Sequence, residues 1–107
     1  MANEELIVKD PLGNDVILRQ ILCEKHLSVV EGDIYDDFVT VIQKPALLIE
    51  LTDQPIPELC YYRSIGWHIT LMIMVRKTGD GWEAYHCLDN PTPQFISELL
   101  ARGRQII

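Results

Sequence analysis

The 107-residue chain lacks the features that mark several large classes of protein. It has three cysteines, an odd number that excludes a fully paired disulfide framework, so we expect reduced thiols and a cytoplasmic location. Its longest apolar run, residues 69–75, is far shorter than the roughly 20 residues that span a membrane, so we expect no membrane partner. The acidic start, MANEE, lacks the basic region of a signal peptide. A Gly-rich phosphate loop, a Gly-x-Ser-x-Gly elbow and an HExxH zinc motif are also missing.

Basic residues are scarce, because nine Lys and Arg stand against 16 Asp and Glu and give a net charge of −7. Residues 1–60 carry 12 acidic and 4 basic residues, net −8, whereas residues 61–107 carry 4 acidic and 5 basic residues, net +1. Phosphate backbones repel a strongly acidic protein, which argues against a general nucleic-acid-binding protein. A local phosphate site stays open, because the less acidic part carries Arg63, Arg76, Lys77, Arg102 and Arg104.

Length and composition predict one globular domain over residues 1–107, since the chain has an ordinary domain size and is 48% hydrophobic. Turn-forming residues 10–14 separate two short apolar runs, which predicts an N-terminal β-hairpin. Apolar residues at helical spacing predict helices over residues 19–31 and 33–44. Strands are expected over residues 46–51, 59–65, 67–76 and 82–88.

A final helix is expected after the last strand, with Thr92 as its N-cap, Pro93 at its first position and Gly103 as its C-cap. Short turns between consecutive strands predict an antiparallel meander. We therefore predict an α+β fold in which the helices pack on one face of an antiparallel sheet.

Regular alternation along the last predicted strand divides its side chains between two faces. One face would carry Glu83, Tyr85 and Cys87, and the other Trp82, Ala84, His86 and Leu88. This separation opposes a zinc site built from Cys23, His26, His86 and Cys87, although these residue types suit zinc. We expect no metal site.

Two short segments carry residues that suit chemistry. His26, in the first predicted helix, could act as a general acid or base because imidazole titrates near neutral pH, or it could be a surface histidine among charged neighbours. On a predicted strand, Arg63 could bind a phosphate, and Tyr62 could stack on a base or donate a proton. The alternative for that strand is structural, since aromatic residues favour strands and arginines often cover sheet edges.

Several motifs follow one another in a set order over residues 8–90. They are the DPLGN turn before an apolar strand, CEKHLSV around His26, TVIQKPA at the end of the second helix, the YYR segment, and EAY on the last strand. In this order they resemble the phage- and toxin-associated nuclease-like domains of the barnase–EndoU–colicin–RelE type. One branch of that family carries a DxxG turn, a His-Pro-Glu helix, a helix ending in I..P, a Tyr-Arg strand and a final Thr-Ala-Tyr strand.

The resemblance implies a fold and an activity. Helices would pack on a curved antiparallel sheet of about four strands, beside the short N-terminal hairpin. The activity would be metal-independent cleavage of RNA, without a cofactor, by attack of the ribose 2′-hydroxyl on the adjacent phosphate. Carried over by position, His26 would be the acid/base and Arg63 would bind the phosphate with Tyr62 beside it. Glu83 would take the place of the polar residue on the final strand.

The sequence departs from the family pattern at two places. Leu27-Ser28 follows the histidine where the family has Pro-Glu, and Glu83 stands where threonine is usual. A carboxylate at that place repels a phosphate unless it works as the base. The alternative function is therefore a catalytically inactive binding or regulatory module that contacts a protein partner or forms a homodimer. Exposed Trp67 or Trp82 would supply such an interface.

Overall fold

The computed structural model describes residues 5–19, 22, 34–66, 69–79 and 81–107. Most of the first predicted helix, with His26, lies outside these residues, and so does Trp67. The described elements, in chain order, are β1 (Glu5–Lys9), β2 (Asp15–Arg19), α1 (Ile34–Gln43), β3 (Leu47–Leu51), β4 (Glu58–Gly66), β5 (Ile69–Thr78), β6 (Gly81–Asp89), α2 (Pro93–Arg102) and β7 (Gly103–Gln105).

The described strands form one mixed sheet of seven strands in the order β1-β2-β6-β5-β4-β3-β7. The prediction of an antiparallel sheet of about four strands is therefore wrong. The N-terminal hairpin is part of the sheet, because β2 pairs in parallel with β6 through Val16↔Trp82 and Ile17↔Glu83. At the other edge β7 pairs with β3. The sequence gives no turn signal for either pairing, since each joins segments that are far apart along the chain.

The two helices of the described residues lie on opposite faces of the sheet, which corrects the prediction that the helices share one face. On the side called here the α1 face, Phe38, Val41 and Ile42 pack with buried residues of β1 to β6. On the opposite side, the α2 face, Leu99 packs with residues of β3, β4 and β5 such as Met72. Strands that are apolar on both sides require cover on both faces. Burial of each large side chain contributes about 1.5–3 kcal/mol.

A β-bulge at Tyr85 changes the faces predicted for β6. Met74 pairs with His86 while the next residue of β5, Val75, pairs with Ala84, so Tyr85 has no partner of its own in β5. Ala84 and Cys87 consequently both lie in the α1-face core, although strict alternation predicts opposite faces for them. Glu83, which precedes Ala84, lies on the α2 face.

Helix α2 begins at the predicted N-cap and ends at the predicted C-cap. Thr92 is the N-cap, and its hydroxyl accepts a hydrogen bond of 3.1 Å from the N–H of Phe95. Gly103 is the C-cap, and with its extended backbone at φ −149° it also starts β7. A Cβ atom at Gly103 would lie 2.1 Å from the carbonyl oxygen of Glu50, so glycine lets β7 approach β3 closely.

Candidate functional site

Tyr62 and Arg63, predicted to act side by side, lie on opposite faces of the sheet. The Tyr62 ring packs against the α2-face cluster. The side chain of Arg63 extends on the α1 side, where Nη1 donates a hydrogen bond of 2.8 Å to the carbonyl oxygen of Lys44, just after the end of α1. Adjacent residues of a strand point to opposite faces, so the two side chains do not share one pocket.

Arg63 belongs to a row of three residues on the α1 face. It pairs with Leu71 of β5, and Leu71 pairs with Asp89 of β6. Side chains of directly paired residues point to the same face, and neighbouring strands are about 4.8 Å apart. The backbones of Arg63 and Asp89 are therefore about 10 Å apart, with the apolar Leu71 between them.

Arg63 differs from the other arginines of the described chain in its partners. Four of the five have a carboxylate or an aromatic ring as partner, namely Arg19 with Glu5 and Glu83, Arg102 with Asp53, Arg104 with Glu50, and Arg76 over the Tyr85 ring. Within the described residues the Arg63 side chain has one hydrogen bond, to the Lys44 carbonyl, and no ion pair. A guanidinium has five N–H donors, so Arg63 retains donors for an anion.

His26 lies outside the described residues, and its position relative to Arg63 is not defined. Leu22, four residues earlier in the sequence, is buried in the α1-face core. Its carbonyl oxygen lies 4.0 Å from the sulfur of Cys87 in β6. Leu22 thus lies on the face on which Arg63 extends.

Glu83 lies in an ion-pair group on the α2 face. Its Oε2 accepts a hydrogen bond of 2.9 Å from Nε of Arg19, which also pairs with Glu5. The hydrogen bond from Arg19 to Glu83 is the main cause that raises the pKa of Arg19. The predicted residues Glu83 and Tyr62 are thus on the face opposite Arg63, and the described structure brings neither of them to it.

A buried polar contact joins the β1–β2 turn to the centre of the sheet. The hydroxyl of Tyr61 donates a hydrogen bond of 2.6 Å to Oδ2 of Asp10, whose side chain is almost fully buried. Asp10 also accepts hydrogen bonds from the N–H groups of Leu12 and Asn14 and from the Asn14 amide. Burial, and then this hydrogen bond, raise the pKa of Tyr61. The sequence indicated the turn but not its partner, which lies 51 positions away.

A second polar group, not expected from the sequence, surrounds the bulge on β6. The hydroxyl of Tyr85 donates a hydrogen bond of 2.5 Å to Oε1 of Glu58, and the guanidinium of Arg76 lies 4.7 Å from the centre of the tyrosine ring. Burial and the contact with Glu58 raise the pKa of Tyr85. Tyr85, at the bulge that alternation alone does not reveal, thus contacts both charged residues.

The described residues contain no group of three or more His, Cys, Asp or Glu that could hold a metal ion. His86 is exposed while Cys87 is buried. Cys60 is buried on the opposite face of the sheet from Cys87, and burial raises the pKa of the Cys60 thiol to about 12. Trp82, considered above as an exposed interface residue, is partly buried against the α1-face core. No helix of the described chain is long and apolar enough to cross a membrane.

Comparison with family models, with curated proteins and with solved structures gave no match to this chain. The resemblance to the barnase–EndoU–colicin–RelE type therefore stays a prediction. Inference about function rests on the residues and the contacts described above.

Proposed function

We propose that the chain is a ribonuclease-like domain that cleaves RNA without a metal ion, through His26 and through Arg63, whose side chain extends on the α1 face. The observation that carries the proposal is the set of partners of the Arg63 side chain. Within the described residues it donates to one backbone carbonyl and to no carboxylate, in a chain with a large excess of acidic residues. Such an arginine suits a phosphate, because its planar donors match two phosphate oxygens at once.

The hydrogen bond to the Lys44 carbonyl also orients the guanidinium. One N–H group is fixed at the end of α1, and the remaining donors keep a defined direction. An oriented guanidinium stabilises the charge that develops on phosphate oxygens during cleavage better than a mobile one.

The chemistry that we propose needs no cofactor. The imidazole of His26 accepts the proton of the ribose 2′-hydroxyl, whose oxygen attacks the adjacent phosphorus. The bond from phosphorus to the 5′-oxygen breaks, and that oxygen takes a proton from solvent. The products are a 2′,3′-cyclic phosphate and a new 5′-hydroxyl end. Arg63 stabilises the phosphate charge and transfers no proton.

Tyr62 and Glu83 are left outside this reaction. Tyr62 packs in the apolar cluster of the α2 face, and Glu83 is paired with Arg19. The proposed role of Glu83 as the final-strand group of the site therefore has no support from its contacts. Both residues serve as control positions.

Cleavage of a single-stranded RNA in the presence of a metal chelator tests the proposal, with protein free of host nuclease. We expect the wild type to cleave, and His26→Ala to lose about 100-fold or more of the rate, the usual effect of general acid–base catalysis. Arg63→Ala should also lose activity, with partial recovery in Arg63→Lys. The controls Tyr62→Phe and Glu83→Gln should keep it. An inactive wild type, or equal rates in all variants, contradicts the proposal.

A second candidate is a catalytically inactive binding module. It is favoured by one observation, namely that the predicted residues Tyr62, Arg63 and Glu83 divide between the two faces of the sheet. In that case the wild type does not cleave RNA, and contact with a protein partner remains the function to test.

A further inference from the structure

We propose that the outer edge of β1 is the site at which two copies of this chain pair to form a symmetric dimer. No described strand pairs with this edge, because β1 is the last strand of the sheet and pairs with β2 alone. Leu6 and Ile7 are 40% and 69% exposed, among the few large apolar side chains of the described chain that are this open. An unpaired edge with exposed apolar residues is a template for another strand.

The backbone of β1 is set up for this pairing. Residues of an antiparallel pair of strands alternate between those bonded to the partner and those whose N–H and C=O point outward. The N–H of Asp10 donates a hydrogen bond of 2.9 Å to the Asn14 carbonyl, one step beyond the Lys9↔Asp15 pair. By alternation, Lys9, Ile7 and Glu5 carry the outward N–H and C=O groups.

The sequence of β1, ELIVK, is complementary to itself in antiparallel order. A two-fold axis through Ile7 pairs Ile7 with its own copy and sets Glu5 opposite Lys9 of the partner subunit at both ends. The same register pairs Leu6 with Val8 of the partner subunit on the α1 face. Opposite charges that face each other across strands stabilise the pair, and like charges destabilise it.

Only this register uses the whole strand. An axis through Leu6 sets Glu5 opposite an isoleucine, and an axis through Val8 does the same to Lys9, so both lose the charge pairs. The register through Ile7 aligns the outward backbone groups of all three odd-numbered residues with those of the partner. Its symmetry makes the interface isologous, so the pairing stops at a dimer.

The ion pairs that Glu5 and Lys9 make within one copy do not oppose the pairing of two β1 strands. Nζ of Lys9 lies 2.9 Å from Oδ1 of Asp15, and both side chains are largely exposed. Glu5 pairs with Arg19, also near the surface. Exposed ion pairs contribute little to stability and rearrange at low cost. The net charge of −7 on each copy opposes association, and salt near physiological strength screens it beyond a Debye length of about 8 Å.

Sedimentation velocity of the full chain, from low micromolar to several hundred micromolar, measures the dimer. Glu5→Lys and Lys9→Glu each place like charges opposite one another in the homodimer, and each should weaken dimerisation about tenfold or more. An equimolar mixture of the two variants restores opposite charges at both ends, so it should form a heterodimer at the concentration at which each variant alone is monomeric. Thermal unfolding of each variant checks that the monomer is intact.

The outcomes separate clearly. Recovery of dimer in the mixture supports the proposed register, because a damaged fold would not be repaired by a second damaged copy. A wild type that is monomeric throughout the concentration range overturns the proposal. So does a dimer that both single variants leave unchanged, since its interface then lies elsewhere, and so does growth beyond a dimer.

Discussion

Tyr61 in β4 and Asp10 in the β1–β2 turn are joined by a buried hydrogen bond of 2.6 Å, which connects the turn of the N-terminal hairpin with the centre of the sheet. The other hydrogen bonds to Asp10 come from its own turn. Among the described residues, the Tyr61 hydroxyl is therefore the donor to the Asp10 carboxylate that comes from outside the turn. A buried acceptor that loses a partner costs more free energy than an exposed one.

We predict that Tyr61→Phe lowers the free energy of unfolding by about 1–3 kcal/mol, because it leaves the buried carboxylate of Asp10 with one donor fewer. Urea unfolding followed by circular dichroism measures the change. Tyr62→Phe is the matched control, since no hydrogen bond of the Tyr62 hydroxyl is seen within the described residues, and it should change stability by less than about 0.5 kcal/mol. Equal effects of the two substitutions would contradict the role of the Tyr61 hydroxyl.

The same contact predicts a dependence on alkaline pH. Burial and the Asp10 contact raise the pKa of Tyr61 in the folded state, so the unfolded state loses its proton first as pH rises. The stabilisation is fully present below the ordinary tyrosine pKa of about 10 and is lost progressively as pH rises above it. Unfolding free energies from pH 8 upward should fall less steeply in Tyr61→Phe than in the wild type. Parallel curves would show that Tyr61 does not have a raised pKa.

The contact between β7 and β3 predicts a large difference between two glycines. Gly103→Ala should destabilise the protein by about 1–3 kcal/mol, because the new Cβ would overlap the backbone of Glu50 and force the strands apart. Gly66→Ala is the control, since a Cβ at Gly66 meets no atom within 4 Å. Thermal unfolding of both variants measures the difference. If Gly103→Ala is as stable as Gly66→Ala, the close approach of β7 is not present.

Burial of the thiols predicts slow alkylation of two cysteines. Cys60 and Cys87 are buried, and the pKa of Cys60 is raised to about 12, so little reactive thiolate forms at neutral pH. Alkylation followed by peptide mass spectrometry should find both residues unmodified in the folded protein and modified after denaturation. Rapid labelling of Cys60 under native conditions would contradict its described burial.

Elements with local signals were predictable from the sequence. The N-terminal hairpin follows from its turn residues, and α2 follows from Thr92 and Pro93 at its start. The order of the sheet was not predictable, because the pairing of β2 with β6 and of β7 with β3 joins distant segments without a turn between them. Strands β3 to β5 are apolar on both sides, so both faces of the sheet need a covering helix. This pattern was present in the sequence.

The candidate site was predictable only in part. The sequence predicts a phosphate-binding role for Arg63, and the contacts of Arg63 leave that role open for the test above. The pairing of Arg63 with Tyr62 in one site ignored alternation along the strand, a signal that was already available. The contact of Glu83 with Arg19 could not be foreseen, since it depends on the parallel pairing of β2 with β6.

The most direct test of the central claim, that the site lies on the α1 face, is the ratio of RNA cleavage rates of Arg63→Ala and Glu83→Gln under metal-free conditions. Each substitution removes one charge, on opposite faces of the sheet. We predict that Glu83→Gln stays within about twofold of the wild type, whereas Arg63→Ala falls tenfold or more, the expected loss of a charge-assisted contact in the transition state. Equal losses in the two variants, or a greater loss in Glu83→Gln, would contradict a site on the α1 face.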